Sequence, residues 1–324
     1  MAKAMININA KLMKFSPIFK ISPSIKYNAQ HRKAFFLRSS SSSEILNATL
    51  GCNEFMIELV NLHVKYGRRQ EPIIKGVHAK FENKHLILGP NGSGKTTLFR
   101  AITGLTPISS GRILIDGVDV NKIYSKPGVL AINLSEVYSV FHLNAYDHLR
   151  LFMDLTGGDM DLALKMLEDL GLNNDLLRKR KPWELSAGQQ KAFSTVIALF
   201  SNVKHVLLDE PFEQLDPARK GKLIDHLREY RGVLILNTHE TWLLSALRDW
   251  NTHLMFEGRL YGSLHAGEMV KASLVAGDKS DAMLRFTVSG KTYSLVRGEI
   301  GEPLSRLITL DRIYELSLGE AENI

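Results

Sequence analysis

Eight consecutive residues, Gly89-Pro90-Asn91-Gly92-Ser93-Gly94-Lys95-Thr96, set glycines at both ends of a four-residue gap and follow the second with Lys and Thr. That spacing suits a loop wrapped around phosphate, because glycines let the backbone approach and successive N–H groups without a helical partner point at an anion. Lys95 has the charge and reach for the outer phosphates. The Thr96 hydroxyl is a Mg2+ ligand of the expected type, and Thr97 completes the binding segment. Leu86–Leu88 reads as a short buried strand and Lys95–Thr103 as a helix, so the loop falls at a strand-to-helix junction. A glycine-rich turn without a ligand is the bland alternative, and the flanking elements argue against it.

Two further segments carry chemistry. Val206-Leu207-Leu208-Asp209-Glu210-Pro211 is an apolar strand ending in two carboxylates. Parallel α/β sheets bind ligands at their carboxyl edge, so Asp209 is placed to hold Mg2+, directly or through water. Glu210 is placed to orient or deprotonate a water attacking the terminal phosphate, which makes it the candidate general base. Between loop and strand, Leu185-Ser186-Ala187-Gly188-Gln189 contains the capping box Ser186-x-x-Gln189, which opens a helix over Ala187–Phe200. A capped helix start also offers N–H groups and a hydroxyl to an anion, so the structural and binding readings are compatible. His239 follows the apolar strand Val233–Asn237. A lone histidine is usually an ordinary surface or core residue, but at a strand's carboxyl end it can hold Glu210 and the water in line with the phosphate.

From Ile57 to about Gly262 the chain resembles the ATP-binding-cassette (ABC) ATPase family. The phosphate loop and the Asp-Glu strand occur in many ATPases, whereas Leu185–Gln189 is similar to the family's own signature, with Ala187 where Gly is usual. His239 stands where the family has its switch histidine, Leu215-Asp216 where it has its D-loop, and Tyr66 where an aromatic stacks on adenine, with Arg68 or Arg69 nearby. The resemblance implies ATP and Mg2+ as cofactors and ATP hydrolysis as the activity. It implies a homodimer, or a heterodimer with another ABC ATPase subunit, in which Ser186, Ala187, Gly188 and Gln189 of one copy face the γ-phosphate held by the other. It also implies separate transmembrane permease subunits and a cytoplasmic place on the inner face of the membrane. A soluble ABC ATPase of translation or DNA repair is the alternative; those usually carry two cassettes or a long coiled-coil insertion, and this sequence has neither.

The sequence departs from the family where a Gln is normal between phosphate loop and signature, since no Gln occurs from Arg100 to Gly188. Asn133, ending the apolar run Val129–Ile132, is the nearest stand-in and thus a third candidate metal contact beside Thr96 and Asp209. Ala187 is harmless only if its φ is negative. Glu213-Gln214 ahead of Leu215-Asp216 is unusual.

The elements that must position these groups predict an α/β fold with a P-loop NTPase core. Residues 57–83 alternate like strands and should form an antiparallel subdomain; 84–125 supply the phosphate strand, its helix and the strand Ile113–Ile115; 135–185 read as a helical insert. In that insert Leu162, Met166, Leu167 and Leu170 share an apolar face. By resemblance, Val137–Leu143 with Tyr138 and Phe141 lies where a membrane subunit would dock. Arg178–Lys181 reads as a solvated helix end. The cassette spans 56–264, and 265–324 forms a small β-containing appendage with a hairpin through Leu284–Val288, Ser289-Gly290-Lys291 and Tyr293–Leu295.

The 324 residues carry a formal charge of +7, but residues 1–55 hold eight Lys/Arg against two Glu, leaving the remainder at +1. The folded part thus lacks the charge of a nucleic-acid binder, and no nucleic-acid partner is expected. A single Cys excludes an internal disulfide. No apolar run approaches the roughly 18 residues of a membrane helix. The leader is basic and serine-rich, which suits a disordered tail, an organelle transit peptide, or translation that begins at Met56; tail or later start is preferred.

Overall fold

The computed structural model describes residues 55–67, 71–123, 128–138, 142–298, 301–307 and 310–318. The leader, Arg68, Arg69 and Phe141 lie outside them. Strands β1 (Ile57–Val64), β2 (Ile74–Phe81), β4 (Ser110–Ile115) and β5 (Val118–Asp119) make a four-stranded antiparallel sheet in the order β2-β1-β4-β5. In β1 the residues Ile57, Leu59, Leu62 and Val64 are buried, and a shift of register after Leu59 keeps them on the core face. The Ile113–Ile115 strand therefore belongs to this sheet, with Ile57 paired to Ile115.

The second sheet has the order β10-β9-β3-β8-β7-β6, from β3 (Lys84–Leu88), β6 (Leu130–Ile132), β7 (His205–Asp209), β8 (Val233–Thr238), β9 (Asn251–Phe256) and β10 (Arg259–His265). Strands β6, β7, β8, β3 and β9 run parallel and β10 antiparallel. Strands β7 and β8 are buried along their whole length, as parallel strands covered on both faces must be. The carboxyl ends of β3, β7 and β8 thus lie side by side, and Asp209 pairs with Asn237 across the ladder.

Helix α1 (Lys95–Ile102) leaves the loop after β3. The insert holds α2 (Ser135–Tyr138), α3 (Ala145–Thr156), α4 (Met160–Asp169) and α5 (Asn174–Lys179), the last three opened by Asn144, Asp159 and Asn173 as N-caps. Met166, Leu167 and Leu170 are buried, as expected of the apolar face, whereas Leu162 is exposed and Ala163 is buried in the first turn of α4. Of the basic run, Arg178 stacks over the Tyr146 ring at 3.6 Å and Lys181 over Trp183 at 5.4 Å. Helix α6 (Ala187–Phe200) returns the chain to β7, and α7 (Pro217–Glu229) links β7 to β8.

After α8 (Leu243–Ala246) and α9 (Ala266–Met269), a third sheet orders as β12-β13-β11-β14. Its strands are β11 (Ala272–Ala276), β12 (Leu284–Val288), β13 (Lys291–Arg297) and β14 (Glu302–Pro303). The expected hairpin is present: Ser289 and Gly290 both take positive φ, 50° and 75°, matching the two-residue turn that right-handed strand twist favours. Phe286 stacks on Phe256 of β9 at 4.9 Å and fastens the appendage to the main sheet. Helix α10 (Asp311–Leu318) closes the described chain.

Candidate nucleotide site

The loop Gly89–Gly94 connects β3 to α1 as its spacing predicts, with Gly94 N-terminal to Lys95. Gly92 takes φ +78° and a Cβ there would meet nothing within 4 Å, so the loop arches beside open space rather than packed side chains. The Lys95 ammonium is buried and donates to the loop's own carbonyls, at 2.6 Å to Gly89 and 3.0 Å to Pro90. Burial pushes the Lys95 pKa down, opposed by the carboxylates of Glu210 and Asp209 and, more weakly, Asp311. The buried Ser93 hydroxyl has no hydrogen-bond partner among the described residues. A cation folded back onto carbonyls, an unpaired hydroxyl and an open cradle fit a polyanionic ligand.

The carboxyl ends of β7 and β8 bring the other candidates to this loop. The Thr96 hydroxyl donates to both oxygens of Asp209, at 3.0 and 3.1 Å, which joins two hard oxygen donors suited to Mg2+. Glu210 Oε1 lies 3.6 Å from Lys95 Nζ and 3.1 Å from His239 Nδ1. Glu210 adopts φ +45°, a costly conformation for a residue with a Cβ. Its N–H is held by Asn237, through the main-chain carbonyl at 3.0 Å and the side-chain Oδ1 at 3.2 Å. Strain is thus fixed at the candidate base by its neighbour strand.

The capping box is also as read: Gln189 N–H donates to Ser186 Oγ at 3.3 Å, and Ser186 N–H to Gln189 Oε1 at 3.0 Å. Ala187 starts α6 without positive φ, so its Cβ introduces no backbone strain. Gln214, at φ +63°, packs on Gly188 so closely that a Cβ there would stand 2.9 Å from its Oε1, which accounts for Gly at position 188. Asp216 caps α7, accepting from Arg219 N–H at 3.0 Å. Tyr66 is 57% exposed, with its hydroxyl 3.4 Å from Thr97 Oγ1, so an aromatic face flanks the first turn after the loop.

Residues 76–213 match the family model described as ABC transporter. The chain is 32% identical over 200 residues to a glutamate/aspartate import ATP-binding protein of Escherichia coli, covering 57% of this chain and 81% of the relative. It is 31% identical to a glutamine transport ATP-binding protein of Geobacillus stearothermophilus, covering 54% of this chain and 76% of that one.

The chain belongs to the ABC transporter family of ATP-binding proteins.

A solved structure described as a cobalt transport ATP-binding protein is 37% identical, with a TM-score of 0.74 over 80% of this chain and 99% of that one. Against the retinal-specific phospholipid-transporting ATPase ABCA4 of Bos taurus, at 32% identity, the chain spans 9% of the relative's length. A dimeric ABC transporter cassette at 22% identity and TM-score 0.55 shares the fold.

Within this ABC cassette one expectation is corrected, and the expected docking segment is divided between buried and exposed residues. Asn133 is 0% exposed and its amide is consumed internally: Oδ1 accepts from Asp209 N–H at 2.6 Å, while Nδ2 donates to Asp209 O at 3.2 Å and to Thr195 Oγ1 at 2.9 Å. It clamps the strand end that presents Asp209, with both ends of the buried amide turned toward that main chain and Thr195 and away from the Thr96–Asp209 pair. Val137 and Tyr138 are buried, Tyr138 edge-on to Phe152 at 4.9 Å, because the turn after β6 folds into the insert's core. Of the expected docking segment Val137–Leu143, residues 139–141 lie outside the described ones, and Leu143 at its end is exposed, as is Trp183, whose ring His142 meets edge-on at 5.6 Å.

Sequence reading also missed residues that hold the site. On α6, Lys191 donates to Asp209 O at 2.9 Å and Ser194 to Asn133 O at 2.9 Å; with Thr195 they form one helix face at three- and four-residue spacing. Asn237 interrupts an apolar strand two residues before His239, a signal that was available. Lys220 bonds Glu240 at 2.8 Å, and Trp242 Nε1 donates to Glu240 at 2.6 Å, fixing the loop after His239.

Proposed function

We propose that this chain is the ATP-hydrolysing subunit of an ABC transporter, acting as a dimer whose closure on ATP drives separate transmembrane subunits. The observation that carries the reading is the convergence on Glu210 of Lys95 at 3.6 Å and His239 at 3.1 Å, beside the Thr96–Asp209 pair. Glu210 accepts a proton from the attacking water, and His239 holds that carboxylate in line with the terminal phosphate. Lys95 exchanges the loop carbonyls for phosphate oxygens. Thr96 and Asp209 would hold Mg2+, which would supply charge neutralisation at the phosphate. The products are ADP and inorganic phosphate.

Dimerisation follows from the signature's position: Ser186, Ala187, Gly188 and Gln189 open α6, and two-fold symmetry sets that helix start against the partner's phosphate loop. Adenine stacks on Tyr66. The patch at Leu143 and Trp183 receives the membrane subunit, a reading supported by the transport and import named for the relatives. No helix among the described residues is long and apolar enough to cross a membrane. We place attachment at that subunit, on the cytoplasmic face. We assign 56–264 to the cassette and 265–324 to the appendage.

The test is Glu210→Gln in the full chain. ATP should still bind and the dimer should accumulate, while turnover falls by about a hundredfold or more, the range of a lost general base. Turnover at the parental rate would remove Glu210 from that role.

A further inference from the structure

The appendage reaches the phosphate loop. Asn91 N–H donates to Asp311 Oδ1 at 3.3 Å, across 220 residues of sequence. The same carboxylate is among the charges acting on buried Lys95. Asp311 is the first residue of α10 and is flanked by buried anchors, Leu307 and Leu310 before it and Ile313 after it. Leu307 O accepts from the hydroxyl of Thr241, two residues past His239. Tyr314 packs edge-on to Phe256 at 6.2 Å, next to the Glu257-Gly258 turn whose Gly258 N–H bonds Ser93 O at 2.9 Å. The segment is therefore seated against both the phosphate loop and the loop after the switch histidine, with a carboxylate pointing at the first.

A carboxylate and a phosphate oxygen are alternative acceptors for one N–H, and both are attracted by the same ammonium. Two anions do not share that position, since like charges in contact repel. We infer that Asp311 is an affinity-setting residue of the nucleotide site, a tethered carboxylate that holds the Asn91 N–H until a nucleotide phosphate displaces it. Nucleotide binding then costs the appendage its contact at Asn91, and whatever holds α10 in place weakens ATP binding by the same factor. Asp311 touches no reacting atom in this scheme. The inference rests on the reading of Gly89–Thr96 as the ATP site.

The experiment compares the full parental chain with Asp311→Asn and Asp311→Ala, using ATP as the probe in equilibrium dialysis, and follows hydrogen exchange of residues 310–318 in the parental chain. Each variant should bind ATP roughly three- to tenfold more tightly, the modest range of a partly exposed charge contact. ATP should speed exchange in 310–318. Unchanged or weaker ATP affinity in both variants would overturn the inference, as would slower or unchanged exchange in the parental chain. If neither parent nor variants bind ATP, it is the nucleotide reading itself that fails.

Discussion

Asn133 brackets the main chain of Asp209, taking its N–H at 2.6 Å and giving its amide to the carbonyl at 3.2 Å. The Asn133 amide is thus spent on holding a strand end. The signature helix shares the grip through Lys191 and Thr195, so the surface proposed to face the partner copy is hydrogen-bonded to the residue proposed to hold Mg2+.

Replacing Asn133 by Ala strands the buried Asp209 N–H and leaves Thr195 without that donor. Stability should fall by about 2–4 kcal/mol, the cost of unsatisfied buried polar groups. Urea unfolding measures this. The Mg2+ concentration for half-maximal ATP turnover should rise as well, since Asp209 is less firmly presented; a variant with parental values of both would show that the clamp is idle.

Lys95→Ala removes the cation proposed to leave the loop carbonyls for phosphate. A charge-assisted hydrogen bond is worth about 1.5–3 kcal/mol, so ATP affinity should fall roughly 10- to 150-fold. Nucleotide titration reads it directly. Because burial already pushes the Lys95 pKa down, the apo variant should lose little stability, and severe unfolding would contradict that view.

Tyr66 is exposed and bonded only weakly to Thr97, so Tyr66→Ala should leave unfolding unchanged. If adenine lies on its ring, ATP affinity drops about three- to tenfold, the scale of an aromatic contact of about 0.5–1.5 kcal/mol, and Tyr66→Phe restores it. Inorganic phosphate, which has no base to stack, should bind both variants as it binds the parent.

Away from the site, His85 and His253 face each other at 3.2 Å beneath Phe81. Burial lowers His85 to about 4. It lowers His253 to about 3, helped by the neighbouring His85. The unfolded chain binds protons at these rings below pH ~6.5 while the folded chain does not, so stability is lost as pH falls. The slope approaches about 1.4 kcal/mol per pH unit for each ring between pH ~6 and ~4. Unfolding midpoints from pH 7 to 4 should show it, and replacing both rings by Gln should flatten the curve.

Much of this was legible because the signals were local. The phosphate loop, the Ser186–Gln189 box and the Ser289-Gly290 turn each need only contiguous residues, whose backbone demands are written in Gly, Ser and Lys at fixed offsets. That Asp209, Glu210 and His239 would come together was legible too, because strand ends in a parallel sheet share an edge. Leu162 and Tyr138 were misplaced for the opposite reason. Apolar side chains at helical spacing define a stripe but not which edge of it the neighbouring helices cover, and on α4 Leu162 is left exposed while Met166, Leu167 and Leu170 are buried.

By itself, then, the sequence determined that a glycine loop between strand and helix, a capped helix start and a pair of strand-end carboxylates exist, since each arises from torsions and hydrogen bonds among near neighbours. Only the tertiary structure decided where Asn133 spends its amide, on partners 62 and 76 residues away, and that Asp311 meets Asn91 across 220. Hydrogen-bonding groups accept whichever partner the packed elements deliver, and that delivery is set by how the sheets and helices bury their apolar faces together.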